Sequence, residues 1–273
     1  MKNIIILICL LSGLSIYAQR KPKIKGNKNV TQIREDLPPF NAIELIDDLE
    51  INLKSSRLES YIVEADDNLM DVLKFKVIDS TLIITSFYNI TSKKKLDITV
   101  NYNVLNAITL KSGKMITDVV STDNLYLNLF EDSVLELNTS AAFVAISMEG
   151  NSFGNFNLDS DSLNISLKDR VDARIYAVSE SNHIRMDKDT KAQLEGTTDK
   201  LQVTLLGDSD FRGQKLEAAT VSAKLEESAT AKIYAFKDFE LSSKGSSKTY
   251  LFGNPTIVVT EFLDTSELHK EKD

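Results

Sequence analysis

Two histidines, His183 and His269, are the only side chains of this sequence whose ordinary pKa suits general-base work near neutral pH. A nucleophilic triad needs one of them within reach of a hydroxyl or thiol and a carboxylate. His183 falls in the outward phase of a strand start and His269 in a charged terminal stretch, so both read as surface residues. Paired carboxylates can instead cleave glycosidic bonds. Asp159 with Asp161, Asp187 with Asp189, and Asp208 with Asp210 have that spacing. All three pairs read as turn residues, a setting that acidic side chains favour for backbone reasons whether or not they catalyse or hold calcium. No glycine-rich loop follows the Walker or dinucleotide pattern. With 1 Cys and 2 His, a structural zinc centre of the Cys/His type is excluded. These residues assign no catalytic group, no cofactor and no metal.

Recognition is the other chemistry on offer. Lys and Arg total 32 against 40 Asp and Glu, for a net charge of -8. A chain this acidic does not suit nucleic acid. Trp is absent, so sugar stacking would fall to Tyr or Phe. Arg174, Tyr176, Arg212, Lys232, Tyr234, Tyr250 and Phe252 are the residues placed to bind a partner. Arg and Tyr are enriched where surfaces bind, because they combine area, planar stacking and hydrogen bonds.

What places them together is a repeat. Ile108, Leu127, Ile146, Ile165, Ile184, Val203, Ala223 and Leu241 recur at intervals of about 19 residues. Leu110, Leu129, Met148, Leu167, Met186, Leu205 and Leu225 follow two residues later. Leu125, Val144, Leu163, Leu201, Val221 and Phe239 precede by two, with Asn182 the exception. Period-2 alternation gives each strand one buried and one wet face. A second strand follows in each unit, with one apolar row of Leu137, Phe156, Ile175, Leu194, Gly213, Ile233 and Leu251. Its other row is Ile116, Leu135, Gly154, Ala173, Ala192, Phe211, Ala231 and Thr249. Sizes compensate between these rows, Gly154 against Phe156 and Phe211 against Gly213, as a core of fixed volume requires. Turns rich in Asp, Glu, Gly, Lys and Ser separate the strands, and Ser133, Ser152, Thr190, Ser209, Ala229 and Ser247 recur just past the corner.

One such unit cannot bury its own face. Stacking units at about 4.8 Å buries it and pairs every backbone edge. The pattern therefore predicts an all-β fold, a parallel β-solenoid or β-helix with coils of about 19 residues. The residues flanking the inward positions of the second strand then form columns on one flat face. Arg174, Arg212 and Lys232 would make a basic column there, with Tyr176, Tyr234 and Phe252 an aromatic one beside it.

Residues 1–18 have the layout of a signal peptide: Lys2, an apolar run from Ile4 to Leu14, and Ala18 as the cleavage residue. Ile8 before Cys9 is too large for a lipidation motif. No later stretch is long and apolar enough for a membrane helix. Residues 19–257 read as a single β-helix domain, with 19–105 its less regular first coils and cap and 106–257 its regular coils. Asp66 to Met70 reads as a capped helical turn. Residues 258–273 read as a closing strand and a charged tail.

Gly26 to Val30, Phe40 to Leu45, Leu49 to Leu53, Val63 to Leu69, Asp79 to Ile84, Leu96 to Val100 and Tyr250 to Pro255 form an ordered set. This set resembles the putative auto-transporter adhesin, head GIN domain family, over about residues 24–257. The resemblance implies a right-handed β-helix, an exported location and a role in adhesion. It transfers no catalytic motif. The family favours Ser-Gly-Ser turns, whereas here most are acidic or lysine-containing and Gly totals only 10. The expected protein is exported, in the periplasm, on the outer surface or secreted. It is not an enzyme, and it contacts a glycan or a cell-surface protein or serves as an envelope structure. The competing expectation is a polysaccharide lyase or hydrolase on the same scaffold.

Overall fold

The computed structural model describes residues 21–272. The expected signal peptide of residues 1–18, its expected cleavage after Ala18 and the question of Cys9 lie outside them. The first strands are β1 (Lys23–Lys25), β2 (Val30–Asp36), β3 (Ala42–Leu45), β4 (Glu50–Ser55), β5 (Ser60–Asp66), β6 (Leu73–Ile78), β7 (Thr81–Ser86), β8 (Asn89–Ser92), β9 (Leu96–Tyr102) and β10 (Ala107–Leu110). Then come β11 (Lys114–Leu129), β12 (Val134–Met148), β13 (Phe153–Lys168), β14 (Asp172–Asp187), β15 (Lys191–Leu205), β16 (Asp210–Leu225) and β17 (Thr230–Ser243). The chain ends in β18 (Lys248–Phe252), β19 (Thr256–Phe262) and β20 (Glu267–Lys270). No helix among the described residues is long and apolar enough to cross a membrane.

Strands β10 to β17 pair in parallel, each with the next, and the protein is a β-solenoid. Ile108, Leu127, Ile146, Ile165, Ile184, Val203, Ala223 and Leu241 stand in register as one column, none more than 2% exposed. The flanking rows are buried with them, in one cluster that runs from Phe40 to Leu251. The paired glycines and phenylalanines of the second strand do compensate. A Cβ on Gly154 would come within 2.2 Å of the Phe156 ring, and one on Gly213 within 2.5 Å of the Phe211 ring.

From β11 to β17 each coil holds one long strand where two short ones were expected, while the last coil keeps two, β18 and β19. β12 runs through both apolar rows, from Leu135 and Leu137 to Val144, Ile146 and Met148. The coil bends near Thr139 to Ala142 without losing its ladder, because neighbouring coils bend at the same place. Ser140 pairs with Ser121 on one side and Asp159 on the other. The Thr139 hydroxyl donates to the Val120 carbonyl at 2.7 Å within that bend.

The opposite corner is a tight turn with one residue in the left-handed region in every coil from Gly113 onward. These residues are Gly113, Glu131, Gly150, Asp169, Lys188, Gly207, Glu227, Gly245 and Asp264, with φ between 50° and 82°. Beside them Ser133, Ser152, Thr190, Ser209, Ala229 and Ser247 form a buried ladder, which Val171 completes between Ser152 and Thr190.

Ile116 corrects one assignment. Met115, not Ile116, pairs with Ile51 and Leu135 and is buried, while Ile116 pairs with Glu136 on the outer face. An extra residue between Ile116 and Val119 shifts the register, and a one-residue shift exchanges the faces.

The N-terminal region is partly coil and partly lid. β3 and β4 stack in parallel under β10 and β11, and β7 and β9 stack under them. Beyond that the pairing turns antiparallel: β5 with β9 and β2, and β6 with β7. Asp67–Val72 is a 3-10 turn, and Asp66 does not cap it. The buried Asp66 carboxylate instead accepts the backbone N–H groups of Lys28, Lys94 and Lys95, at 3.0, 3.2 and 3.2 Å. Asn29 donates to Asp67 at 2.7 Å, and the Asn27 N–H to Asn68 at 2.9 Å. The segment Gly26 to Val30 is thereby fastened to the segment Asp66 to Asn68.

At the other end the charged tail is a strand. Glu267, Leu268, His269 and Lys270 pair in parallel with Lys248, Thr249, Tyr250 and Leu251. The 19-residue beat simply continues, and the ladder it offers outweighs the polar composition.

Candidate functional site

The outer face of the second-strand sheet carries two columns. The first reads Asn155, Arg174, Gln193, Arg212, Lys232, Tyr250 and His269 in successive coils. The second reads Asn157, Tyr176, Glu195 and Lys215, and further on Tyr234 and Phe252. Between Gly213 and Ala218 the chain bulges, so Tyr234 has no single counterpart in the preceding coil. The expected basic and aromatic columns are therefore divided. Arg174 and Tyr176 form one group, and Arg212, Lys232, Tyr250 and Phe252 form another.

The first group borders a hollow of about 320 Å³, walled by Glu136, Asn155, Asn157, Gln193 and Glu195. Arg174 lies over the Phe153 ring at 5.5 Å, within cation–π range. The acids beside it are committed elsewhere. Glu136 pairs with Lys114 at 2.8 Å. Hydrogen bonds from Gln193 and then Lys215 hold the Glu195 carboxyl below its usual range. Tyr176 is 51% exposed and offers an open ring face.

The second group borders a hollow of about 650 Å³, together with Asp208, Ser209, Asp210, Thr230 and Glu271. Arg212 is tied to Asp210 at 2.7 Å. Lys232, next to it, has no carboxylate partner among the described residues. Tyr250 stacks on His269 with ring centres 5.0 Å apart and planes 14° apart. Tyr234 is half-buried and lines neither hollow.

His269 belongs to this site, and reading it as part of a charged tail missed it. The signal was available, since it stands 19 residues after Tyr250. Its Nε2 lies 2.7 Å from Glu267 Oε2, and that contact, followed by Lys248, holds the Glu267 carboxyl below its usual range. His183 sits on the other sheet, with Nδ1 2.9 Å from the Gln202 side-chain oxygen. Neither histidine contacts a hydroxyl nucleophile.

The acidic pairs take different places. Asp159 and Asp161 are not turn residues. They lie within β13 at the bend, on a shallow hollow shared with Asp123, Thr122 and Ser140. Asp187 ends β14 and Asp189 is in the following turn, while Asp208 is in a turn with Gly207 and Asp210 begins β16, where it engages Arg212. Among the described residues no group of three or more His, Cys, Asp or Glu is placed to hold a metal ion. The arrangement can grip an anionic or hydroxyl-rich chain on a flat sheet through cations and rings. It does not assemble a nucleophile with a base.

No curated protein matches the chain. Several solved structures share its fold. A putative adhesin from Parabacteroides distasonis superposes with a TM-score of 0.68 at 15% identity, covering 91% of this chain and 100% of that one. A putative adhesin from Parabacteroides merdae gives 0.66 at 14% identity with the same coverage of 91% and 100%. A putative lipid binding protein from Parabacteroides distasonis gives 0.62 at 16% identity, again over 91% and 100%. At these identities the likeness speaks for the fold. The family described as putative auto-transporter adhesin, head GIN domain, matches twice, over residues 39–157 and 149–255, as a stacked repeat allows. Its matches span most of the described solenoid, and the chain belongs to that family.

Proposed function

We propose that the protein is an exported, non-enzymatic binding solenoid of the adhesin type. Its outer second-strand sheet holds an anionic glycan or an acidic segment of a cell-surface protein. One observation carries this reading. On a chain of net charge -8, Lys232 stands without a carboxylate partner among the described residues, beside Arg212, Tyr250 and Phe252 in a common hollow. A cation held in no ion pair and flanked by rings is free to meet a carboxylate or sulfate on a sugar, although Asp208, Asp210 and Glu271 border the same hollow. Arg174 and Tyr176 provide a second contact two coils before Arg212, so an extended ligand would lie across the strands. The family description and the family's exported character support the location and the adhesive role.

The test is a binding screen of acidic and neutral polysaccharides by surface plasmon resonance. Lys232→Ser/Tyr250→Ser should weaken binding of an acidic glycan at least tenfold, and added salt should weaken the wild type. Equal binding by variant and wild type, with unchanged circular dichroism, would remove this face. Turnover of the same polysaccharides, abolished by Asp159→Asn or Asp208→Asn, would replace this reading with the lyase or hydrolase one.

A further inference from the structure

The two ends of the solenoid differ. At the N-terminal end the antiparallel strands β2, β5 and β6 and the 3-10 turn lie over the first coils, with Leu69 and Val72 buried beneath. At the C-terminal end the core columns run on without a lid among the described residues. Phe239 continues to Ile257, Leu241 to Val259, Ser243 to Phe262 and Thr249 to Leu268. Earlier members of these columns are sealed, yet Ile257, Val259 and Phe262 are 43%, 46% and 46% exposed. Val259, Phe262 and Leu268 line an open hollow of about 490 Å³ between the two sheets. β19 has neither Pro nor Lys, the usual guards of an open strand edge.

We propose that this end is a self-association surface. Two copies of the chain abut C-terminal end to C-terminal end about a two-fold axis at the corner between β19 and β20, with β20 running antiparallel to its counterpart. Three features select a second copy as the occupant. The surface is an open hollow bordered by Val259, Phe262 and Leu268, and another copy presents the same hollow with the same apolar rows. The lidded N-terminal end blocks head-to-tail stacking, so the contact is isologous and closes at two copies. The polar side chains also find partners. Antiparallel pairing of β20 centred on Leu268 sets Glu267 of each copy opposite His269 of the other, and Leu268 opposite Leu268. Phe262 lies across the core from Leu268 on the same hollow and so meets its own counterpart near the axis. Opposed residues in such pairs share a face, so the apolar side chains continue the core and the charged ones stay outside.

The experiment is sedimentation of the wild-type protein over a micromolar concentration series. The comparison variants are Phe262→Lys/Leu268→Lys and the control Leu58→Lys, which alters the most exposed large apolar residue, far away in the N-terminal region. A reversible dimer is expected in the wild type and the control and is expected to be lost in the double variant. Phe262→Cys gives a second reading that survives if the double variant misfolds. The sequence has a single cysteine, Cys9, in the stretch read as a signal peptide. Treated with oxidised glutathione, the two introduced thiols near the axis, one from each Phe262→Cys chain, would lose two protons and two electrons to the oxidant and join as a disulfide-linked dimer. Leu58→Cys should not. A wild type that stays monomeric throughout, a dimer that survives Phe262→Lys/Leu268→Lys, or a Phe262→Cys chain that stays uncrosslinked would each overturn the proposal.

Discussion

The corner residues face a conformational choice that side-chain chemistry alone does not explain. Glu131 holds φ 50° and Gly207 holds φ 69° at equivalent corners. A left-handed residue with a Cβ carries strain of about 1 kcal/mol or somewhat more. Glu131→Gly should therefore raise stability by about 0.5–1 kcal/mol, read as a higher midpoint in urea. Gly207→Ala should act the other way. Its Cβ would stand 2.9 Å from the backbone of Lys188 in the coil below, and a loss of about 1–2 kcal/mol is expected. Asp66 poses a different problem. Burial alone would push its carboxyl up, but the N–H groups of Lys94, Lys28 and Lys95, with the Lys94 charge, carry it below the ordinary value. A depressed folded-state pKa contributes stability above the unfolded value and loses it as pH falls through the folded one. Asp66→Asn should therefore lower the melting temperature by several degrees at neutral pH. The gap should close as pH falls below the ordinary carboxylate range, and a gap that is constant down to strong acid would count against this role.

A coil is the unit at which the apolar rows act. Ile165 is 1% exposed between Ile146 and Ile184. Ile165→Val should cost about 1 kcal/mol. Ile165→Asp should cost about 4 kcal/mol or more by leaving an unpaired charge in the stack. Asn182 interrupts a row of Leu163 and Leu201. Its Oδ1 accepts from the Ser179 hydroxyl at 2.8 Å, while its amide nitrogen is buried without a partner. Asn182→Leu should restore the row and stabilise by about 1 kcal/mol in a chemical melt. This row structure was legible because a stacked coil repeats its inward positions at one interval, and the apolar residues keep that interval from Ile108 to Leu241. The long bent strands were not legible, since the bends carry the Ser, Thr and Asp of a turn, as at Asp159 to Ser162 and Thr197 to Asp199, while the backbone stays within one strand. Ile116 was misplaced because an added residue in an apolar–polar alternation looks the same on either face. A cap was expected within residues 19–105, but its antiparallel pairing was not legible, as its strands alternate just as the coils do. Within the candidate site, the flanking positions Arg174, Tyr176, Arg212 and Lys232 followed from the repeat. The bulge after Gly213, which divides the site, did not, because Gln214 to Glu217 carry no turn signal.

For the whole molecule, contacts run almost wholly between neighbouring coils, so stability is a sum of coil and interface terms. Opening should begin where a coil has a neighbour on one side only. The N-terminal end is protected from this by the antiparallel strands and by the fastening of Gly26 to Val30 onto Asp66 to Asn68. The C-terminal end has no such cover among the described residues, and every residue of β19 is exposed. Amide hydrogen exchange should therefore be fastest in β19 and β20, slower in β17, and slowest in the coils around Ile165 and Ile184. The gradient should run from one end only. If two copies meet at the C-terminal end, it should also depend on concentration, with β19 and β20 gaining protection as the dimer forms while the central coils stay unchanged. Equal exchange at both ends would contradict the asymmetry of lid and open end. Protection of β19 that is independent of concentration and unaltered in Phe262→Lys/Leu268→Lys would place its cover within the single chain.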